Sequence, residues 1–215
     1  MKDKNLKIFS KADEFIEVLK SFNVIEKGYF EYKGATSDGR HLRGEYFVNY
    51  RMLTTPQELQ LVPYYHQAIE EFFGDRVNDM IIVGVAYGSL SLPKVVQTLG
   101  FDKFGMEYAY AEKRNGLLGI FDAQAEKCRG KHLLFIEDVC NNGTSGRQLV
   151  EAIEGKKEEL ELKSYSIIYG VHRGHSFLKK PAGEIYAMSM INAPSYHPDE
   201  VPEHLKNLPL KKYKK

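Results

Sequence analysis

The stretch LLFIEDVCNNGTSG, from Leu133 to Gly146, decides the fold. Four apolar residues run into an acidic pair, Glu137 and Asp138. Val139 and Cys140 follow, then a small polar loop of Asn141, Asn142, Gly143, Thr144 and Ser145, and a helical pattern opens directly behind it over residues 147–153 (RQLVEAI). That order predicts a buried strand, a pair of carboxylates at its C-terminal end, and a tight loop of backbone N–H groups at a helix start. Open α/β sheets bind ligands outside the carboxyl ends of their strands. A helix N-terminus, with free amides and the positive end of the helix dipole, receives phosphate. Carboxylates immediately before such a phosphate site suit the hydroxyls of a sugar. The ligand this stretch predicts is a phosphorylated ribose, with its 5-phosphate in the loop and its 2- and 3-hydroxyls on the acids. The bland alternative is an ordinary strand–turn–helix whose acids face water. A nucleoside-triphosphate loop is excluded, because Gly-Lys-Ser/Thr is absent, and no GxGxxG dinucleotide fingerprint follows a strand.

The rest of the chain sorts around this centre. Ser10 with Asp13 three residues on predicts a helix start, and Phe15, Val18, Leu19 and Phe22 form one apolar stripe behind it. Residues 28–32 (GYFEY) and 45–50 (EYFVNY) read as aromatic-rich strands separated by a loop over 34–44. Thr55-Pro56 marks a cap followed by proline at the first helical position. Pro63 is a candidate interruption of that helix, which should end near Gly74. Residues 80–85 form a short apolar strand leading into Ala86-Tyr87-Gly88-Ser89, with a helix over 93–99 and a strand over 106–111. From Lys113 a long irregular stretch reaches the strand at His132, and residues 165–171 and 185–190 are late strands. The alternation predicts an α/β fold, a mainly parallel twisted sheet flanked by helices. The whole chain, 1–215, reads as one domain: residues 1–55 contribute a small N-terminal hood over the carboxyl edge of the sheet, and 191–215 form an extended tail with one short helix near Glu203.

Composition bounds the partners. A net charge of +1 gives no global field for nucleic acid or a membrane surface. The lysine-rich ends read as solvated tails. Cys128 and Cys140 have no paired or metal-ligand spacing and read as reduced thiols of a cytoplasmic protein. No apolar run approaches membrane-spanning length, and the N-terminus is polar and charged rather than signal-like. His172 and His175 lack a third ligand nearby and read as surface histidines rather than a metal site.

Residues 133–146 resemble the phosphoribosyl-diphosphate (PRPP) signature of type I phosphoribosyltransferases, with matches at Phe135, Ile136, Glu137, Asp138, Val139, Gly143 and Ser145. Other segments are similar, in order, to the orotate branch of that family. Gly28-Tyr-Phe-Glu-Tyr-Lys33 followed by Tyr46-Phe-Val-Asn49 resembles its N-terminal strands, and Gly84-Val-Ala-Tyr87 its Gly-Pro-Ala-Tyr. His172-Arg173 stands near its Asp-Arg. The resemblance implies transfer of ribose 5-phosphate from PRPP onto a nucleobase, orotate favoured, with release of diphosphate. It implies Mg²⁺ held mainly by PRPP, with no metal ligand supplied directly by the protein, and a homodimer. It also implies roles. Glu137 and Asp138 anchor the ribose, with Val139 to Ser145, Ala86, Tyr87 and Gly88 around the phosphates. Lys33 reaches the diphosphate, while Phe47, Val48 and Arg173 meet the base. Lys113 is the cation of a loop that closes over the site, with Arg114 as the alternative, and Asp138 joins them as a catalytic residue.

Departures from the pattern leave other readings open. Asn141 and Asn142 replace two threonines, Gly88 stands where the branch has lysine, and Ala109-Tyr110 or Tyr110-Ala111 occupies the place of an Arg-Lys pair. The loop after Lys33 is longer than usual. A purine, uracil or nicotinate-like base, a PRPP-binding regulatory protein without turnover, and an unrelated α/β protein remain as alternatives.

Overall fold

The computed structural model describes residues 6–35, 39–85, 91–115, 117–140, 144–174 and 184–212. The chain opens with strand β1 (Leu6–Ile8), helix α1 (Ala12–Ser21) and strands β2 (Ile25–Ala35) and β3 (His41–Val48). A 3-10 turn, Tyr50–Met52, leads to α2 (Thr55–Phe73). Then come β4 (Met80–Val85), α3 (Ser91–Phe104), β5 (Glu107–Arg114), β6 (Leu117–Gly119) and α4 (Asp122–Lys127). The last part carries β7 (His132–Cys140), α5 (Thr144–Glu154), β8 (Ser164–His172), β9 (Glu184–Met190), β10 (Ser195–Tyr196), α6 (Glu203–Lys206) and β11 (Leu210–Lys212).

β4 is buried at every position, and β7 from Leu133 to Glu137, the near-continuous burial of strands covered on both faces. They lie in a seven-stranded sheet ordered β1-β9-β8-β7-β4-β5-β6, parallel throughout except for the antiparallel β5–β6 pair. Alternate residues feed separate cores. Ile82, Leu134, Ile136 and Ile168 pack with Phe15, Leu61, Tyr65 and Val96 of α1, α2 and α3. Ile81, Val83, Leu133, Phe135 and Ile167 pack with Ala125 of α4 and Leu149 and Ile153 of α5. Burying one such aliphatic or aromatic side chain contributes about 1.5–3 kcal/mol.

A second sheet, ordered β10-β3-β2-β11, joins both ends of the chain. The lysine-rich C-terminus is therefore not a free tail over residues 210–212. β11 pairs in parallel with β2, and Lys211 and Lys212 face Glu26 and Glu31. Nothing in the composition of Leu-Lys-Lys marks a strand; the partner strand supplies the pairing.

Two further expectations change. Pro63 does not interrupt α2. It lies on the exposed side, so the carbonyl that loses its N–H partner can turn to water. The helix starts one residue earlier than expected, with the Thr54 N–H donating to Gln57 Oε1 at 2.9 Å. The stretch after Lys113 is not irregular either. β5 runs on to Arg114 and pairs back with β6, Lys113 opposite Leu118. Leu118, Ile120, Ala125 and Cys128 then bury against the α5 side of the sheet. Asn115, at φ 49°, is followed in sequence by Gly116, an Asn-Gly connection of hairpin type.

β7 and β8 come closest to the 3-10 turn at Gly170. A Cβ there would lie 2.3 Å from Tyr50 Oη and 2.8 Å from the Asp138 carbonyl oxygen. Gly170→Ala should lower stability by about 1–3 kcal/mol, read as a lower urea midpoint with an unchanged slope, and Tyr50→Phe in the same chain should restore part of it. An unchanged midpoint in Gly170→Ala would contradict this packing.

Candidate active site

β4 and β7 are hydrogen-bonded neighbours, but their connections diverge. β4 runs into α3, which packs on one face of the sheet and returns to β5; β7 runs into α5, which packs on the other and returns to β8. Divergence of this kind opens a crevice at the carboxyl ends of the two strands, the place where such sheets take ligands. Residues 86–88 and 141–145 follow these two ends in sequence. Ala86, Tyr87, Gly88, Asn141, Asn142 and Gly143 lie outside the described residues, as do the side chains of Lys33, Thr144 and Ser145. The backbone of Thr144 and Ser145 opens α5, whose buried Leu149 and Ile153 fix its start against the end of β7.

The acidic pair closes β7 as expected. Glu137 is 8% exposed, Asp138 and Val139 are half-buried and Cys140 is buried. Asp138 Oδ1 accepts the Val139 N–H at 2.8 Å. Burial holds the Asp138 carboxyl above the usual carboxylate range, against the opposing pull of the Val139 N–H and the Arg51 charge. Tyr50 and Tyr65, both buried, feel the charge of Asp138. Neither tyrosine stands out in sequence: Tyr65 belongs to the apolar stripe of α2, and Tyr50 ends an aromatic strand pattern.

The expected cations part company. Lys113 is exposed on β5 and makes no ion pair among the described residues. Arg114 is paired with Glu112 and with Asp122, each at 2.5 Å, and its guanidinium lies 4.7 Å from the Phe121 ring centroid. Asp122 holds Arg114 to the start of α4, and both carboxylates raise its pKa further. Both residues stand on the strand of a hairpin rather than at the start of an irregular stretch.

The expected base contacts lie on the second sheet and beside it. Phe47 sits next to Phe30, ring centroids 5.7 Å apart, and Val48 packs toward the core shared by α1 and α2. Arg173 is buried at 2% exposure. Its guanidinium lies 4.3 Å from the Tyr32 ring centroid and donates to Tyr32 Oη at 2.5 Å and to the Ala193 carbonyl at 3.0 Å. The Tyr32 hydroxyl in turn donates to the Tyr46 carbonyl at 2.5 Å. Arg173 thus ties the end of β8 to the second sheet, and these contacts are spent inside the protein.

This sheet order, with acids and a helix start at the switch between β4 and β7, is the fold of the type I phosphoribosyltransferases. The chain resembles that family, including its orotate branch. It is 29% identical over 181 residues to the orotate phosphoribosyltransferase of Clostridium botulinum (strain Eklund 17B / Type B), spanning 81% of this chain and 74% of that protein. The crystal structure of the Francisella tularensis orotate phosphoribosyltransferase superposes with a TM-score of 0.53 at 23% identity, over 82% of this chain and 85% of that one. An adenine phosphoribosyltransferase structure superposes equally well, with a TM-score of 0.53 at 15% identity, over 81% of this chain and 99% of that one. At these identities the structures establish the fold alone. No family model matches the chain.

Asp138 carries a pH signature. A carboxyl whose pKa is raised by folding holds its proton more tightly in the folded chain, so its ionisation costs stability at pH values above that raised pKa; the cost fades as pH falls below the ordinary value of about 4. Asp138→Asn should therefore melt at or above the wild-type temperature at neutral pH, the difference vanishing near about pH 3. A variant that melts lower at neutral pH would refute a carboxylate whose burial outweighs its compensating contacts.

Proposed function

We propose that this chain is a glycosyltransferase that moves the ribose 5-phosphate of PRPP onto a base, orotate favoured, and releases diphosphate. The observation that carries the reading is the Glu137–Asp138 pair at the end of β7, beside the end of β4 and directly before α5. The similarity to orotate phosphoribosyltransferases supports the choice of base.

Diphosphate leaves C1 as a ring nitrogen of the base arrives, and bond breaking runs ahead of bond making. The ribose gains positive charge and the leaving group negative charge. Positioning and placed charge therefore matter more than covalent chemistry. Glu137 and Asp138 accept hydrogen bonds from the ribose hydroxyls, and the amides from Asn141 to Ser145 hold the 5-phosphate. Ala86, Tyr87 and Gly88 line the diphosphate from the β4 side, and Lys33 reaches it from β2. Lys113, exposed and without an ion pair among the described residues, meets the leaving group in preference to the doubly paired Arg114. Phe47 and Val48 border the base, and the second sheet acts as a hood that Arg173 fastens down.

No cluster of three or more His, Cys, Asp or Glu among the described residues could cage a metal. Two adjacent carboxylates fit Mg²⁺ that arrives with PRPP and is held mostly by substrate oxygens and water. When bound, the ion would offset charge on the diphosphate. A homodimer and a cytoplasmic location follow from the family resemblance; no helix among the described residues is long and apolar enough to cross a membrane.

A second reading has a specific observation behind it. With Arg114 neutralised and glycine at position 88, positive charge for the leaving group is sparse. A PRPP-binding regulator with weak turnover would look the same. Incubation with Mg-PRPP and a panel of orotate, uracil, nicotinate and purines separates these. Diphosphate release with orotate alone is expected; release with another base reassigns the substrate, and PRPP binding without any release supports the regulator.

Lys113→Ala should lower kcat/KM about 30- to 1,000-fold, the loss of one charge contact to the transition state. Arg114→Ala should change it little, since surface ion pairs contribute roughly 0–1 kcal/mol to stability and this one faces the protein. Equal losses in both variants would refute the assignment.

A further inference from the structure

Among the described residues, the buried hydroxyls of Tyr50 and Tyr65 have at most each other as partners. Both residues are buried, at 3% and 0% exposure, and neither hydroxyl makes a hydrogen bond of proper geometry to any described residue. A buried hydroxyl left without a partner is costly, which is why such groups are rare in folded proteins. The two hydroxyls are neighbours, and a hydrogen-bond interaction between them shifts the pKa of both. Even if one donated to the other, the proton of the second would still lack an acceptor.

The geometry around them points to Asp138. Tyr50 Oη and the Asp138 carbonyl oxygen crowd the same point above Gly170, 2.3 and 2.8 Å from it, and the missing side chain at Gly170 makes room for the hydroxyl. Tyr50 and Tyr65 pack in the same core as Ile136, on the α2 side of β7. The charge of Asp138 bears on both phenols, and burial raises the pKa of both, so they remain protonated donors at physiological pH. Asp138 Oδ1 accepts the N–H of its neighbour Val139 at 2.8 Å.

We infer that Tyr50 and Tyr65 are positioning residues for Asp138: their hydroxyls donate to the inner side of its carboxylate once the outer side holds the hydroxyls of the sugar. This rests on the proposed reading of the site. The hydroxyls would fix the carboxylate's orientation and keep it ionised in a place where burial disfavours the charge. Their cost without ligand and their use with ligand would make them part of the binding energy rather than of the fold.

Calorimetric titration of the full chain with Mg-PRPP tests this. Tyr50→Phe and Tyr65→Phe should each weaken PRPP binding on the order of tenfold, the usual effect of losing a hydrogen bond to a charged group, while melting at or above the wild-type temperature. In an Asp138→Asn background the same substitutions should change binding less than twofold, which a structural role would not produce. A wild type that binds PRPP with both variants binding equally well overturns the inference alone. So does a lowered melting temperature with unchanged affinity, the mark of hydroxyls already satisfied inside the fold. A wild type that does not bind PRPP overturns the reading of the site and this inference with it.

Discussion

The pairing of β4 with β7 is the constraint on which the rest depends. Two parallel strands share a hydrogen-bonded ladder, and their following helices must cover opposite faces of the sheet. Strands whose following helices cover opposite faces leave a crevice at their carboxyl ends, where such sheets take ligands. Glu137 and Asp138 on β7 and the backbone start of α5 stand at that end of the sheet because the strand order puts them there. Apolar burial on both faces holds the order in place, with Leu133 and Phe135 locked on one side and Leu134 and Ile136 on the other.

Much of this was legible in the sequence, and the reasons are physical. The apolar run ending in Glu137-Asp138 has no stable place except a strand buried on both faces. The apolar strand at 80–85 was readable for the same reason. What escaped depends on partners distant in sequence. Leu210–Lys212 becomes a strand only because β2 offers an edge, and Pro63 is tolerated because it faces water. The hairpin at Lys113 did have a local signal, the Asn115-Gly116 pair between segments with apolar residues.

The site residues divide along the same line. The acids and the helix start are local features and could be placed from sequence. The fates of Arg114 and Arg173 could not: the hairpin brings Arg114 onto the nearby Glu112 and Asp122, and Arg173 is fixed by Tyr32, distant in sequence, and the Ala193 carbonyl. Arg173 joins the end of β8 to the second sheet through Tyr32. The tyrosines under Asp138 were invisible for a related reason. An aromatic on an apolar stripe looks the same whether its hydroxyl is idle or poised toward a carboxylate.

Locating the sugar directly tests the central claim best. In a crystal structure of the protein with Mg-PRPP, the ribose hydroxyls should lie within hydrogen-bonding distance of Glu137 and Asp138, with the 5-phosphate capping the start of α5. PRPP bound elsewhere, or a crevice between β4 and β7 that stays empty at saturating ligand, would contradict the account.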